Sequence, residues 1–247
     1  MLFIDNTSIS PYFNLSAEEY LLNNKNEDII MLWQNEPSII IGKNQHLESE
    51  INEEFVKEKR LKVVRRLSGG GAVYHDLGNL NITFFQSCKE IDFMKYTKKI
   101  QELLNTIGVN AIADHRQGLT INGLKISGSA QCIHRGRAIF HATLLFESNL
   151  DNLNVALQSS ERSLTDEKYV KSIRSSVTNI KDNIPVPLSI SEFKIIIKEF
   201  FLNNNNLSSI YTFTNSDRTA IEKLANEKYA STDWNFHKNN KICLDLK

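Results

Sequence analysis

Two short stretches hold most of the side chains that could do chemistry. The first is Arg65-Arg66-Leu67-Ser68-Gly69-Gly70-Gly71-Ala72-Val73-Tyr74-His75-Asp76-Leu77-Gly78-Asn79-Leu80-Asn81. Consecutive glycines let the backbone take positive φ and approach a ligand closely. Backbone N–H groups in such a turn can cradle phosphate oxygens, and the arginine forks suit carboxylate or phosphate. No Gly-Lys-Ser/Thr follows, so this is not a Walker A loop. A strand rather than a helix follows the glycines, so it is not a dinucleotide fingerprint. The crowding of Arg, Ser, His, Asp and Asn points to an anion held against main chain. For the glycines alone, a plain flexible hairpin loop is the alternative.

The second stretch is Arg116-Gln117-Gly118-Leu119-Thr120-Ile121-Asn122-Gly123-Leu124-Lys125-Ile126-Ser127-Gly128-Ser129-Ala130-Gln131. Asn122-Gly123 between Ile121 and Leu124 predicts a hairpin with a two-residue type I′ turn. The returning strand carries Lys125 and then small residues, which leave room for something to lie against it. The competing reading of Lys125 is an edge-strand lysine that guards against aggregation.

These stretches must be positioned by strands and helices. Strands are expected over 2–5, 29–34, 38–42, 61–64, 82–85 and 138–146. Ile39-Ile40-Ile41 reads as a strand buried on both faces. A helix starts within 14–22, capped by Asn14 or Ser16, with Glu18 and Glu19 as charges that the helix dipole favours. Further helices are expected over 48–60, 92–107 with Gly108 as the stop, 189–202 and 216–229. Lys43 reads as an exposed loop lysine and 203–206 as a surface turn.

Composition narrows the function. A chain of 247 residues with 41% hydrophobic content can bury a core as one large domain. Lys plus Arg and Asp plus Glu are 29 each, which excludes a bulk nucleic-acid binder. No stretch of about twenty apolar residues predicts a transmembrane helix, and the N-terminus lacks the pattern of a signal peptide. Cys88, Cys132 and Cys243 are an odd, scattered set that fits a reducing cytoplasm and structural thiols. His134 and His141 lack Cys or acidic partners at zinc spacing, so no protein-held metal is expected.

Arg-Arg-x-Ser-Gly-Gly-Gly-Ala-Val-Tyr-His-Asp-x-Gly-Asn-x-Asn resembles the signature of lipoate–protein ligases, in the biotin/lipoate ligase superfamily. Leu124–Gln131, the His141-Ala142-Thr143-Leu144-Leu145 strand, and Lys171-Ser172-Ile173-Arg174-Ser175-Ser176-Val177-Thr178-Asn179 are similar to further family motifs. The resemblance runs from about residue 1 to 236. It implies an α/β (α+β) fold like that of class II aminoacyl-tRNA synthetases, with a mixed, largely antiparallel β-sheet flanked by helices. Residues 1–247 would form a single catalytic domain, with the family's small C-terminal accessory domain absent. That absence is expected to impair ATP-dependent activation more than transfer.

The resemblance implies activation of lipoate or octanoate by ATP, with Mg²⁺, and transfer to a lysine of a lipoyl-domain or glycine-cleavage H-type acceptor. A separate accessory-domain chain is a conceivable partner; nucleic acid and membrane are not expected. Lys125 would be catalytic. Arg66, Ser68, Gly69, Gly70, Gly71, His75, Lys125, His141 and Thr143 would bind the acyl-adenylate. Gly70, Gly71, Ala72, Val73, Tyr74, His75, Asn79, Lys125, Ser127 and Ala130 would bind ATP, with any magnesium near Asn79. Three departures stand out. Ala142 replaces a glycine and narrows the acyl pocket by a methyl group. Ser176 replaces an arginine. Gln117-Gly118 replaces Asn-Asp, so a carboxylate is missing and activation should be weakened.

Three rivals remain. A transferase of the same fold takes octanoyl from a carrier protein or works from preformed lipoyl-AMP; the first needs a nucleophilic cysteine. Biotin–protein ligase would need the Gly-Arg-Gly-Arg-type loop that Arg135-Gly136-Arg137 echoes only in part. The last is a non-catalytic lipoyl- or nucleotide-binding protein.

Overall fold

The computed structural model describes residues 1–87, 92–158, 170–203 and 209–236. Cys88, Cys243 and residues 204–206 of the expected asparagine turn lie outside them.

The largest sheet has six strands in the order β10 (Ser129–His134), β11 (Arg137–Leu145), β6 (Asn79–Ser87), β2 (Ile29–Trp33), β1 (Leu2–Asp5) and β12 (Ser209–Ile210). β10, β11, β6 and β2 pair antiparallel, whereas β2, β1 and β12 run parallel. A smaller sheet orders β4 (Lys62–Arg65), β3 (Ser38–Ile41) and β5 (Val73–His75). A third joins β7 (Ile112–Ala113), β8 (Leu119–Ile121) and β9 (Leu124–Ser127). The architecture is the mixed, largely antiparallel α/β arrangement that was expected.

The period of two along each strand assigns the faces. On β6, Leu80, Ile82 and Phe84 enter one core with Phe140, Ala142 and Leu144 of β11. Helices α3 (Met94–Thr106) and α5 (Ile190–Asn203) cover that core. The opposite face presents Asn79, Asn81, Thr83 and Phe85, with Ile139, His141 and Thr143 beside them. Helix α1 (Pro11–Asn24) packs there, backed by α6 (Asn215–Leu224) and the π-helical turn Ala225–Tyr229. The smaller sheet adjoins this face: Ile40 and Val64 join its core. Ile39, Ile41 and Val63 point away, toward α2 (Glu53–Lys59) and α4 (Leu150–Ala156). The Ile39–Ile41 run is therefore buried on both faces, as its continuous apolarity predicts. The last helix, α7 (Thr232–Phe236), packs against β4.

Several boundaries differ from expectation. α1 starts at Pro11, whose fixed φ suits the first turn, and Ser10 is the cap. Asn14, Ser16, Glu18 and Glu19 thus lie inside the helix, and the two glutamates are not capping charges. The charged segment 48–60 divides into a 3₁₀ turn and α2, because Asn52 caps a new helix and Arg60 ends it at φ 51°. β6 begins at Asn79, earlier than expected: its asparagines read as turn residues but alternate with core residues. At the predicted hairpin, Asn122 and Gly123 have φ of 50° and 79°, as a type I′ turn requires.

Candidate functional site

The glycine loop is shaped by two buried arginines. Arg66 Nε donates to Ser68 Oγ at 3.0 Å, Nη1 to Ile40 O at 3.1 Å, and Nη2 to the Gly69 and Gly71 carbonyls at 2.6 and 2.8 Å. Burial brings its pKa down to about 10, opposed by the negative charge of Glu18. Arg65 donates to the Gly42, Lys43 and Gln45 carbonyls, and to Trp234 and Asn235 of α7. The guanidinium forks therefore grip main chain and set the loop's path. Of the three glycines only Gly70 has positive φ, 88°. A Cβ at Gly42 would stand 2.0 Å from the Gly70 carbonyl oxygen, so the turn after β3 packs directly on this loop.

Beneath the loop lies a cavity of about 350 Å³. Leu15 of α1, Trp33 of β2, Ile40 of β3 and His75 of β5 wall it, with Asn81, His141 and Thr143 from the large sheet. Each side chain reaches it because alternate residues of two sheets face a common gap. A second cavity of about 400 Å³ adjoins it, lined by Tyr74, Ser127, Leu153, Lys171, Arg174 and Ser175 among others. Lys125, Gly128, Thr143, Ala72, Val73 and Ser172 border both. A Cβ at Gly128 would lie 3.8 Å from Lys125 Nζ and 3.7 Å from Thr143 Oγ1. The ammonium therefore stands where the two cavities meet. Burial lowers its pKa; nearby Asp114 opposes this and Arg116 adds to it.

Two imidazoles border the inner cavity, and α1 orients both. Asn14 and Glu18, four residues apart, share a helix face. Glu18 Oε1 accepts from Thr83 Oγ1 at 2.6 Å and lies 3.1 Å from His141 Nδ1. His141 Nε2 lies 2.8 Å from Ser68 Oγ. The carboxylate–imidazole–hydroxyl order resembles a nucleophilic triad, but Ser68 is 2% exposed and borders neither cavity. The relay fixes the imidazole and the loop; it presents no nucleophile. His75 Nδ1 lies 3.0 Å from Asn35 Nδ2, and Asn14 holds the Asn35 carbonyl at 2.8 Å. Burial, with the charges of Arg66 and His141, brings the His75 pKa down to about 3, so its ring is neutral.

The outer cavity is closed by a loop tied down through Ser172. Its Oγ accepts from the Ala72 N–H at 2.9 Å and from Gln45 Nε2 at 3.0 Å. Its own N–H donates to buried Glu50. Lys125 N–H donates to the Ser176 carbonyl at 2.8 Å, so the main chain at Ser176 has a use whatever its side chain.

The turn at Gly118 is organised by Asp114. Asp114 Oδ1 accepts from the N–H groups of Arg116 and Gly118, both at 2.8 Å. A Cβ at Gly118 would meet Ser127 O at 2.7 Å and Asp114 Oδ2 at 2.9 Å. The turn, with Gln117 at φ 62°, is closed around Asp114 and has no space for a second acid.

Of the expected site residues, Arg66, Gly70, Gly71, Ala72, Val73, Tyr74, His75, Lys125, Ser127, Ala130, His141 and Thr143 border one or both cavities. Ser68, Gly69 and Asn79 do not; Asn79 Nδ2 donates to Asn81 Oδ1, and Asn81 reaches the wall. Sequence reasoning missed Trp33, Asn35, Glu18 and Ser172 as functional positions. Among the described residues no group of three His, Cys, Asp or Glu could hold a metal ion. Cys132 borders neither cavity. Arg137 donates to the Asn26 and Glu27 carbonyls, so the Arg135–Arg137 segment is a β10–β11 turn away from the site.

The model of the lipoyl protein ligase A/B catalytic domain matches residues 10–202. A lipoate-protein ligase of Bacillus subtilis is 38% identical over 99% of this chain and 76% of its own length. Lipoate–protein ligase 1 of Staphylococcus aureus is 39% identical over 98% and 75%. A Plasmodium falciparum protein solved in complex with lipoate superposes with a TM-score of 0.79 at 30% identity, over 98% of this chain and 75% of that one. Among the described residues no helix is long and apolar enough to cross a membrane.

Proposed function

The chain belongs to the lipoyl protein ligase A/B catalytic-domain family, and from that premise we propose that it is an ATP-dependent lipoate–protein ligase. It activates lipoate, or octanoate, to the acyl-adenylate and passes the acyl group to a lysine of a lipoyl-domain or H-type acceptor. The inner cavity takes the acyl chain and the outer one the nucleotide. The observation that carries this assignment is Lys125 at their junction.

A carboxylate has no good leaving group, so its oxygen attacks the α-phosphorus of ATP and pyrophosphate departs. Negative charge gathers on the α-phosphate in that step. The Lys125 ammonium and the backbone N–H groups of the glycine loop are preorganised to meet it. The mixed anhydride then sits with its carbonyl beside Lys125, under the loop that Ser172 ties to Ala72. Exclusion of water there preserves it. The acceptor's lysine amine attacks the carbonyl carbon, the acyl–phosphate bond breaks, and AMP leaves. Magnesium carried on the phosphates of ATP would neutralise their charge beside Lys125.

Among the described residues the one cysteine, Cys132, borders neither cavity. The test is ATP–pyrophosphate exchange without acceptor. Exchange that requires lipoate supports the ligase; no exchange, with transfer from preformed lipoyl-AMP intact, would make the chain a transferase.

A further inference from the structure

Among the described residues that line the inner cavity, two have a buried polar atom with no hydrogen-bond partner, Arg116 Nε and His75 Nε2, and the second is on a neutral ring. His75 is 3% exposed, and its Nε2 has no hydrogen-bond partner among the described residues. Its Nδ1 faces an Asn35 amide nitrogen, which can only donate. Nδ1 is therefore the acceptor and Nε2 carries the hydrogen. The Asn35 oxygen faces the Asn14 amide nitrogen at 2.8 Å, which shares its two hydrogens among that oxygen and the Ser8 and Gln34 carbonyls, so the Asn35 nitrogen is the group turned toward the ring. Asn14 in turn accepts from Asn6. The charge state agrees: a ring with a pKa near 3 is neutral and keeps one N–H.

His75, with Leu15, Trp33 and Ile40, lines the inner cavity and not the outer one, whereas Lys125 borders both. The Trp33 and His75 rings are in edge contact, with centroids 6.1 Å apart. An acyl chain whose carboxyl group is at Lys125 presents its distal end here. Buried donors that stay unpaired are costly, and a saturated alkyl tail offers this one no acceptor. A cyclic disulfide offers sulfur, a weak acceptor and a polarisable neighbour for aromatic rings.

We propose that Asn35, anchored by Asn14, holds His75 as the Nε2–H tautomer so that this hydrogen meets a sulfur atom of the acyl ring, making His75 the residue that prefers a dithiolane tail over a hydrocarbon one. This rests on the inner cavity being the acyl site. Asn35 and Asn14 are positioning residues that act through His75.

The experiment compares binding of lipoate and 5-cyclopentylpentanoate, which keeps the ring's shape with carbon in place of sulfur, by calorimetry on the full chain. The wild type should bind lipoate about five- to tenfold more tightly, the range expected of one modest hydrogen bond to a buried donor. In His75→Phe that ratio should fall to about one. Asn35→Ala, which frees the tautomer without touching the ligand, should lower the ratio in the same direction. If His75 instead meets the carboxylate or phosphate, both acids weaken together and the ratio persists, which overturns the proposal. A wild-type ratio of one overturns it without any variant. If the wild type binds neither acid and does not modify an apo lipoyl domain, the functional reading itself falls; modification with an unchanged ratio sinks only the role of His75.

Discussion

The two cavities that meet at Lys125 are built on opposite plans. The inner one is walled by strands of the six-stranded sheet, by the β4–β3–β5 sheet and by α1, and its two imidazoles are each held from behind the wall. Glu18 holds His141, Asn35 holds His75, and Thr83 links Glu18 to Trp33 Nε1 at 2.8 Å. The outer one is lined by hydroxyls, cations and the apolar side chains of Leu145, Leu153 and Leu157, and the 170–177 loop, which also reaches the inner cavity, forms much of its wall. Long side chains there, such as Arg174, are exposed, and Ile173 is 73% exposed. A rigid wall selects shape. A loop held by a few hydrogen bonds can open for nucleotide and for an acceptor's lysine.

The sharpest way to break this comparison is at the junction. Lys125→Met should lower both adenylate formation and acyl transfer by about 10²–10³, the usual loss for a preorganised electrostatic contact, with the unfolding transition preserved. Pyrophosphate release and acceptor mass measure the two steps. Rates within about threefold of wild type would mean that the chemistry lies elsewhere.

Next is Gly70→Val. A β-branched residue at φ 88° is strained, and its Cβ would press on Arg66 Nη2 at 3.0 Å. Forcing such a conformation costs about 1–3 kcal/mol, so affinity for both lipoate and ATP should fall roughly tenfold to a hundredfold. Unchanged affinity, by calorimetry, would return the glycine stretch to a plain hairpin loop.

Gly118→Asp separates the site's geometry from its family pattern. The acid that the family carries here would collide with the Ser127 carbonyl and Asp114, and overpacking of this kind costs about 1–3 kcal/mol. A lower melting temperature and no gain in pyrophosphate release are expected. A faster activation step at full stability would show that the turn admits the acid and that its absence weakens activation.

The smallest effect belongs to Ser172→Ala, which releases one tie between the two cavities. Loss of its bonds to Ala72 and Gln45 should raise the KM for ATP by about two- to tenfold, with a smaller change for lipoate. Equal changes for both substrates would mean that the loop serves the inner cavity as much as the outer.

The Asn122-Gly123 turn and the positive φ of Gly70 were legible because each depends on local residue type; for Lys125 residue type alone favoured an edge-strand lysine, and the family resemblance singled it out. Ile39–Ile41 was legible because apolarity at every position has one cheap explanation, burial on both faces. The α1 residues were not. Asn14 and Glu18 look like helix-start residues, and only the position of Pro11 and the packing of α1 on the large sheet turn them inward. β5 was hidden for a similar reason. Its three residues follow glycines and pair with β3, from which the α2 segment separates them in sequence. The roles of the arginines were half legible: the fork was anticipated, but not that carbonyls would fill it. Asp114 was invisible because its value comes from a turn that closes around it.

The most direct test of the whole account is the intact mass of an apo lipoyl domain incubated with this chain, lipoate and ATP, with each small molecule omitted in turn. The account predicts one lipoyl addition on a single acceptor lysine, dependent on both lipoate and ATP and lost in Lys125→Met. Addition that proceeds without ATP from an acyl-carrier-protein donor, through a thioester on the chain's own cysteine, would contradict it.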